Sequence, residues 1–230
     1  MVAEWYCRLN GFLSIPGFIV HLDETHAVDS ASGRPRAART EADLIGVRFP
    51  NSQEVIAGRT MQDDPALISP HDRAPQTVPM FVLVEVKAGV CRMNGPWTDR
   101  NAKNMQRVIR RLGFAESARH VDEIAESLYA EAAWKGRSAI IQYICIGGRK
   151  NPQLAREHRG LVQIDWAEIG AFFHRRFTDF PEKLPSGYVH DQWPAFGREF
   201  GSWFVYAGRG AAPENASQAV RRYVESGTLE

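Results

Sequence analysis

Hydrophobic and polar positions along the chain follow two periods, and the change from one to the other marks out the elements. Residues 3–10 predict a short helix closed by Gly11, and residues 17–23 have the β-branched and aromatic content of a strand. The polar, arginine-rich residues 29–39 read as an exposed loop, and residues 41–49 as a second strand stopped by Pro50. An irregular excursion follows, punctuated by Asp63-Asp64-Pro65, Pro70, Pro75 and Pro79. Residues 80–87 then give the clearest strand in the chain.

Beyond it the period lengthens. Thr98 or Asp99 caps a predicted helix running to Leu112, with Met105, Val108, Ile109 and Leu112 on one stripe and Gly113 as the stop. A second helix is expected over 117–134, with Val121, Ile124, Leu128 and Ala132 facing inward. Residues 138–146 predict a buried strand, 161–165 a short strand and 166–177 a helix. An aromatic remainder leads to a polar helix near 217–226. The order α, β, β, β, α, α, β, β, α, α implies an α/β fold: hairpin or meander pairing of the early strands, later helical crossovers, and a mixed central sheet with helices on both faces.

Composition narrows the class. A hydrophobic content of 44% with 24% charged residues supports a single globular domain over 1–230 and excludes disorder and a disulfide scaffold. The net charge of +1 names no partner, so a nucleic-acid surface would have to be a local patch. Cys7, Cys91 and Cys145 are far apart and form no CxxC pair, which suits buried free thiols in a reducing compartment. The apolar run 12–20 is broken by Pro16 and Gly17 and fits neither a signal peptide nor a membrane span. A cytoplasmic protein is the expectation.

The strand at 80–87 carries the chemistry. Val82, Val84 and Val86 face one way; Phe81, Leu83, Glu85 and Lys87 face the other. Two opposite charges therefore end an apolar face, where desolvation is costly unless they pair or meet a ligand. Asp43 opens the preceding strand, which by order lies beside it. Two carboxylates from neighbouring strands, with a backbone carbonyl, form an oxygen-rich site suited to Mg²⁺. Such an ion polarises a phosphodiester and lowers the pKa of bound water, and a lysine two residues on can orient that water. The bland alternatives are a Glu85–Lys87 salt bridge on a half-exposed face, an aspartate that merely starts a strand, and a solvated Glu4.

This pattern resembles the PD-(D/E)xK nuclease superfamily, the restriction-endonuclease-like fold. Its αβββαβ core is matched by helix 3–10, the strands ending near Asp23, Phe49 and Lys87, helix 99–112 and strand 138–146. The match covers about 1–150 and leaves 151–230 as a C-terminal helical and aromatic extension. The resemblance implies catalytic roles for Asp43, Glu85 and Lys87, with Mg²⁺ (or Mn²⁺ as substitute) held by Asp43, Glu85 and the Val86 carbonyl. Glu4 matches an acidic residue that many members carry on the first helix. Ala42 replaces the motif proline, and the step from Asp43 to Glu85 requires an insertion between strands.

The resemblance also implies DNA as substrate, in defence or repair. Arg100, Lys103, Arg107, Arg110 and Arg111 would then approach the phosphate backbone; a solvated face neutralised by Glu116, Asp122 and Glu123 is the alternative. Gln106 stands near the position of a Gln-x-x-x-Tyr motif found in some RecB-like members, with Arg110 in place of the tyrosine. No membrane partner is implied, and a homo-oligomer, a partner protein or an activator is compatible with the reading. The competing reading is a catalytically inactive nuclease-like fold acting as a nucleic-acid-binding or protein-interaction module; a small-molecule hydrolase is a third. The seven histidines form no HExxH or HxH, and Gly147-Gly148-Arg149-Lys150 lacks P-loop spacing. The dense aromatics from Trp193 to Tyr206 read as core, with base stacking or a subunit contact as alternatives.

Overall fold

The computed structural model describes residues 2–21, 39–67, 77–181, 193–208 and 210–229. Most of the arginine-rich stretch 29–39, and Asp23, lie outside the described residues. In chain order the helices are α1 (Val2–Leu9), α2 (Gly95–Thr98), α3 (Asn104–Leu112), α4 (Ala118–Glu131), α5 (Pro152–Glu157), α6 (Trp166–Asp179), α7 (Ala195–Trp203) and α8 (Pro213–Ser226). The strands are β1 (Leu13–His21), β2 (Arg39–Arg48), β3 (Val55–Ile56), β4 (Arg59–Thr60), β5 (Met80–Val86), β6 (Ala133–Lys135), β7 (Ile140–Gly147) and β8 (Val162–Asp165).

Six strands form one mixed sheet in the order β1-β2-β5-β7-β6, with β8 also pairing β7. β1, β2 and β5 make the expected antiparallel meander, and β7 joins β5 in parallel after the α3–α4 crossover. The excursion between β2 and β5 contains only the two-residue hairpin β3–β4 and a 3-10 turn, Pro65–Leu67, among its described residues. β1 starts four residues before the expected position and admits Pro16, which an edge strand tolerates because one side of its ladder is unpaired among the described residues.

The alternation in β5 divides the core in two. Val82 and Val84 join Leu44, Ile144 and Ile146 under α1, α6, α7 and α8. Leu83 joins Ile45, Ile141 and Tyr143 under Trp97, α3 and α4. Residues of α6, α7 and α8 thus build most of the helical side of one core face, with α1 the remainder: Ile169, Phe172, Phe177, Phe196, Phe200 and Val220 are all buried there. α6 and α8 cross closely at Gly170, where a Cβ would fall 2.5 Å from the Cα of Ser217. The three cysteines are free and buried, and burial, with Glu4 nearby, pushes the Cys7 thiol up to about 12.

The helices also differ from the sequence expectation. The helix expected over 99–112 is broken: Asp99 caps a 3-10 turn, Arg100–Ala102, by accepting from the Asn101 amide. Lys103 then takes a left-handed conformation (φ 54°), so α3 begins only at Asn104. The helix expected to reach Trp134 ends at Glu131, because Ala132 is left-handed (φ 60°) and turns the chain into β6. Short α5, opened by Asn151 and Pro152, has no counterpart in the sequence expectation.

Candidate active site

The site forms where β2 and β5 part. Their antiparallel register runs from Arg48–Met80 to Leu44–Val84 and stops, one step short of bringing Asp43 level with Glu85 in the ladder. Beyond that point β5 keeps its partner on the other edge: the Lys87 amide donates to the Ile146 carbonyl at 2.8 Å. Val86, between the two, presents its amide to the opened side, and Asp43 Oδ2 accepts from it at 2.6 Å. The Asp43 side chain thus supplies the acceptor that the diverging β2 main chain no longer offers. A strand residue turns its N–H and C=O to the same edge, so the Val86 carbonyl opens toward this gap as well.

Glu85 lies one residue back and faces the α3–α4 side with Leu83. It is 1% exposed, a position that carboxylates rarely occupy without partners. Three donors compensate it. Lys87 Nζ and Asn94 Nδ2 both donate to Oε1, and the Tyr143 hydroxyl donates to Oε2 at 3.3 Å. Burial pushes the Glu85 carboxyl above its ordinary range; the Lys87 hydrogen bond opposes that rise, and the negative charge of Asp43 adds to it. Tyr143 is pushed well up for the same reasons, burial first and then Glu85. The Glu85–Lys87 pair is therefore made, but not on a half-exposed face: the lysine side chain is 15% exposed and the glutamate 1%.

Two of these residues were not singled out by the sequence. Tyr143 belongs to β7, packed against β5 in parallel register with Leu83 opposite it. A tyrosine among aliphatic strand residues signals a buried hydroxyl that needs a partner. Asn94 is the N-cap of α2, yet its side chain makes no capping bond. It reaches Glu85 because the connection after β5 folds back over the end of β7. Val90 bridges Arg149, and a Cβ on Gly148 would fall 2.5 Å from the Ala88 carbonyl. Gly147 and Gly148 are thus places of close chain approach, not a phosphate loop.

The remaining candidates separate. Glu4 is half-buried in the first turn of α1, and no hydrogen bond or ion pair joins it to Asp43, Glu85 or Lys87 among the described residues. Gln106 is buried on α3 and accepts from the Tyr129 hydroxyl of α4 at 3.4 Å. The helix break changes the basic face: Arg100 sits on the 3-10 turn, ion-paired with Glu126 and lying over the Tyr129 ring at 5.5 Å. Arg107 is half-buried and donates to Asn104 Oδ1 at 3.1 Å and to the Ala102 carbonyl. Lys103, Arg110 and Arg111 are exposed, the last two in the final turn of α3, where the helix dipole favours cations.

Among the described residues no group of three or more His, Cys, Asp or Glu side chains forms a ready metal cage. Asp43 and Glu85 are a two-carboxylate pair whose third donor would be a main-chain carbonyl. The donor chemistry fits a hard cation: all-oxygen, two negative charges, and no bond from described protein groups to Asp43 Oδ1. No protein-family model, curated protein or solved structure matches the chain. No helix among the described residues is long and apolar enough to cross a membrane.

Proposed function

We propose that the protein is a Mg²⁺-dependent nuclease that hydrolyses phosphodiester bonds, with DNA as substrate and defence or repair as its setting. The observation that carries the reading is the meeting of Asp43, the buried Glu85 and Lys87 at the point where β2 leaves β5. Asp43, Glu85 and the Val86 carbonyl would hold the ion. A bound Mg²⁺ supplies charge to the scissile phosphate and acidifies its water. Lys87 Nζ has three donor N–H groups and gives one to Glu85 Oε1. The others are available to orient the attacking water and to meet charge on the pentacoordinate phosphorus. With the β3–β4 hairpin, α2 and β6 set aside, the element order α1, β1, β2, β5, α3–α4, β7 supports the reading of a restriction-endonuclease-like core.

The test is cleavage of plasmid DNA, single-stranded DNA and RNA with Mg²⁺, with Mn²⁺ and with EDTA. Metal-dependent cleavage of one or more substrates is expected. A folded protein that binds DNA but cuts nothing under every metal condition would favour the inactive binding module instead.

The exposed cations at the end of α3, which lies by the start of β5 and away from Glu85, would hold the substrate's phosphate backbone beyond the site. Replacing Arg110 and Arg111 by alanine should raise KM for DNA, leave kcat unchanged, and flatten the dependence of log affinity on log salt by about one for each phosphate no longer neutralised. Arg100→Ala should change KM less, since that guanidinium is tied to Glu126. Titrations between 50 and 200 mM salt, on the order of the range where phosphate neutralisation dominates, would separate the two.

A further inference from the structure

We infer that Tyr143 and Asn94 are positioning residues, which fix the Glu85 carboxylate so that one acceptor site on Oε2 stays available to the cation. The inference rests on the nuclease reading and adds residues to it. An ionised carboxylate offers about four lone-pair positions. Lys87 and Asn94 take Oε1, and Tyr143 takes one position on Oε2. Rotation of the carboxylate about its C–C bond would break these bonds together and leave buried donors unpaired. One position on Oε2 is left for the ion, with Asp43 Oδ1 as the oxygen that the second carboxylate offers.

The two neutral donors differ in kind from Lys87. They orient the carboxylate without cancelling its charge, so its attraction for a divalent ion survives. Each is also held in place for the task. Tyr143 is a 2%-exposed phenol on the central strand β7, with few rotatable bonds. Asn94 stands at the start of α2, where asparagine ordinarily accepts from the backbone amides two or three residues on. Here it makes no such bond and donates to Glu85 instead. The buried Trp97 of the same turn anchors the segment in the core. Local helix capping has been given up for a hydrogen bond to the site, which is what a positioning role requires.

The experiment is Mn²⁺ titration of the nucleic-acid-free protein by calorimetry, beside thermal unfolding and cleavage kinetics, for wild type, Tyr143→Phe, Asn94→Ala and Asn94→Gln. Tyr223→Phe, a buried tyrosine on α8 in the opposite core face, is the control. Tyr143→Phe and Asn94→Ala should each weaken Mn²⁺ binding about 10-fold, lower kcat in step and leave KM for DNA unchanged. Asn94→Gln, which keeps the donor, should recover part of the affinity, and Tyr223→Phe should leave it intact. A wild type that binds Mn²⁺, with variants that melt earlier but bind it equally well, would overturn the inference and leave the nuclease reading standing. A folded wild type that binds no Mn²⁺ would overturn both.

Discussion

Replacing Lys87 with alanine should lower Mg²⁺-dependent cleavage by about 10²–10³ while leaving divalent-ion affinity equal or stronger. The split follows from the position of Nζ. In the structure it donates to Glu85 Oε1, so it competes with a cation for that carboxylate. Removing it would free the ligand but take away the donor that, on the nuclease reading, would orient water and meet charge in the transition state. Asp43→Asn should instead lower both cleavage and ion affinity, because a neutral amide can still accept from the Val86 amide but offers the ion no charge. Circular dichroism and Mn²⁺ titration alongside the cleavage rates would check this. Undiminished cleavage in both variants would place the chemistry elsewhere. Lys87→Ala also carries a pH signature. Burial already holds the Glu85 carboxyl up, and losing Lys87 removes the larger of the two partners that oppose that rise, leaving the Tyr143 hydrogen bond. A carboxyl whose folded pKa exceeds its unfolded value, about 4.3, favours the fold below that value and loses the contribution as pH rises through the folded pKa. The stability deficit of Lys87→Ala should therefore grow from acid toward neutral pH, which urea unfolding at pH 4.5, 6 and 7.5, roughly bracketing the carboxylate range, would read.

The elements around this site were legible to different degrees, for physical reasons. β5 could be read residue by residue, since its period of two places Glu85 and Lys87 on one face and the valines on the other, as the two core faces show. Asp43 could be named as a neighbour because consecutive strands usually pair. What the sequence does not encode locally is the separation of β2 from β5 on the N-terminal side of Leu44, which turns Asp43 from a ladder residue into the acceptor for Val86. Asn94 precedes the helix start expected at Thr98 or Asp99 and carries no signal of its own, and only the fold-back over Gly147 and Gly148 brings it to Glu85. The helix break at Lys103 was hidden by a clean apolar stripe. Lysine carries no signal for a left-handed conformation as glycine would, and the break removes Arg100 from the helix face. β6, three residues long, is too short to show a period.

Phe173→Ala should cost about 3–5 kcal/mol of unfolding free energy, a large loss for a single truncation outside the site. Phe173 is fully buried on α6 and packs against five other rings: Trp5 at 4.6 Å, Phe200 at 5.3 Å, Phe196 at 5.7 Å, Phe172 at 5.8 Å and Tyr6 at 6.3 Å between centroids. These rings come from α1, α6 and α7, so one side chain joins the first helix to the C-terminal ones. Deleting it leaves a cavity that three helices cannot all close, because α6 is already pressed against α8 at Gly170. For a domain near 230 residues the loss is on the order of 6–20 °C in Tm. Phe173→Leu, which keeps much of the volume, should cost far less, under about 1.5 kcal/mol. Tyr206→Ala, at an 86%-exposed position, should stay within about 0.5 kcal/mol of wild type. Urea unfolding of the three variants distinguishes a core role for the C-terminal aromatics from a stacking surface. A cluster used to bind bases would show the opposite order, with Tyr206→Ala weakening nucleic-acid binding and Phe173→Ala leaving stability unchanged.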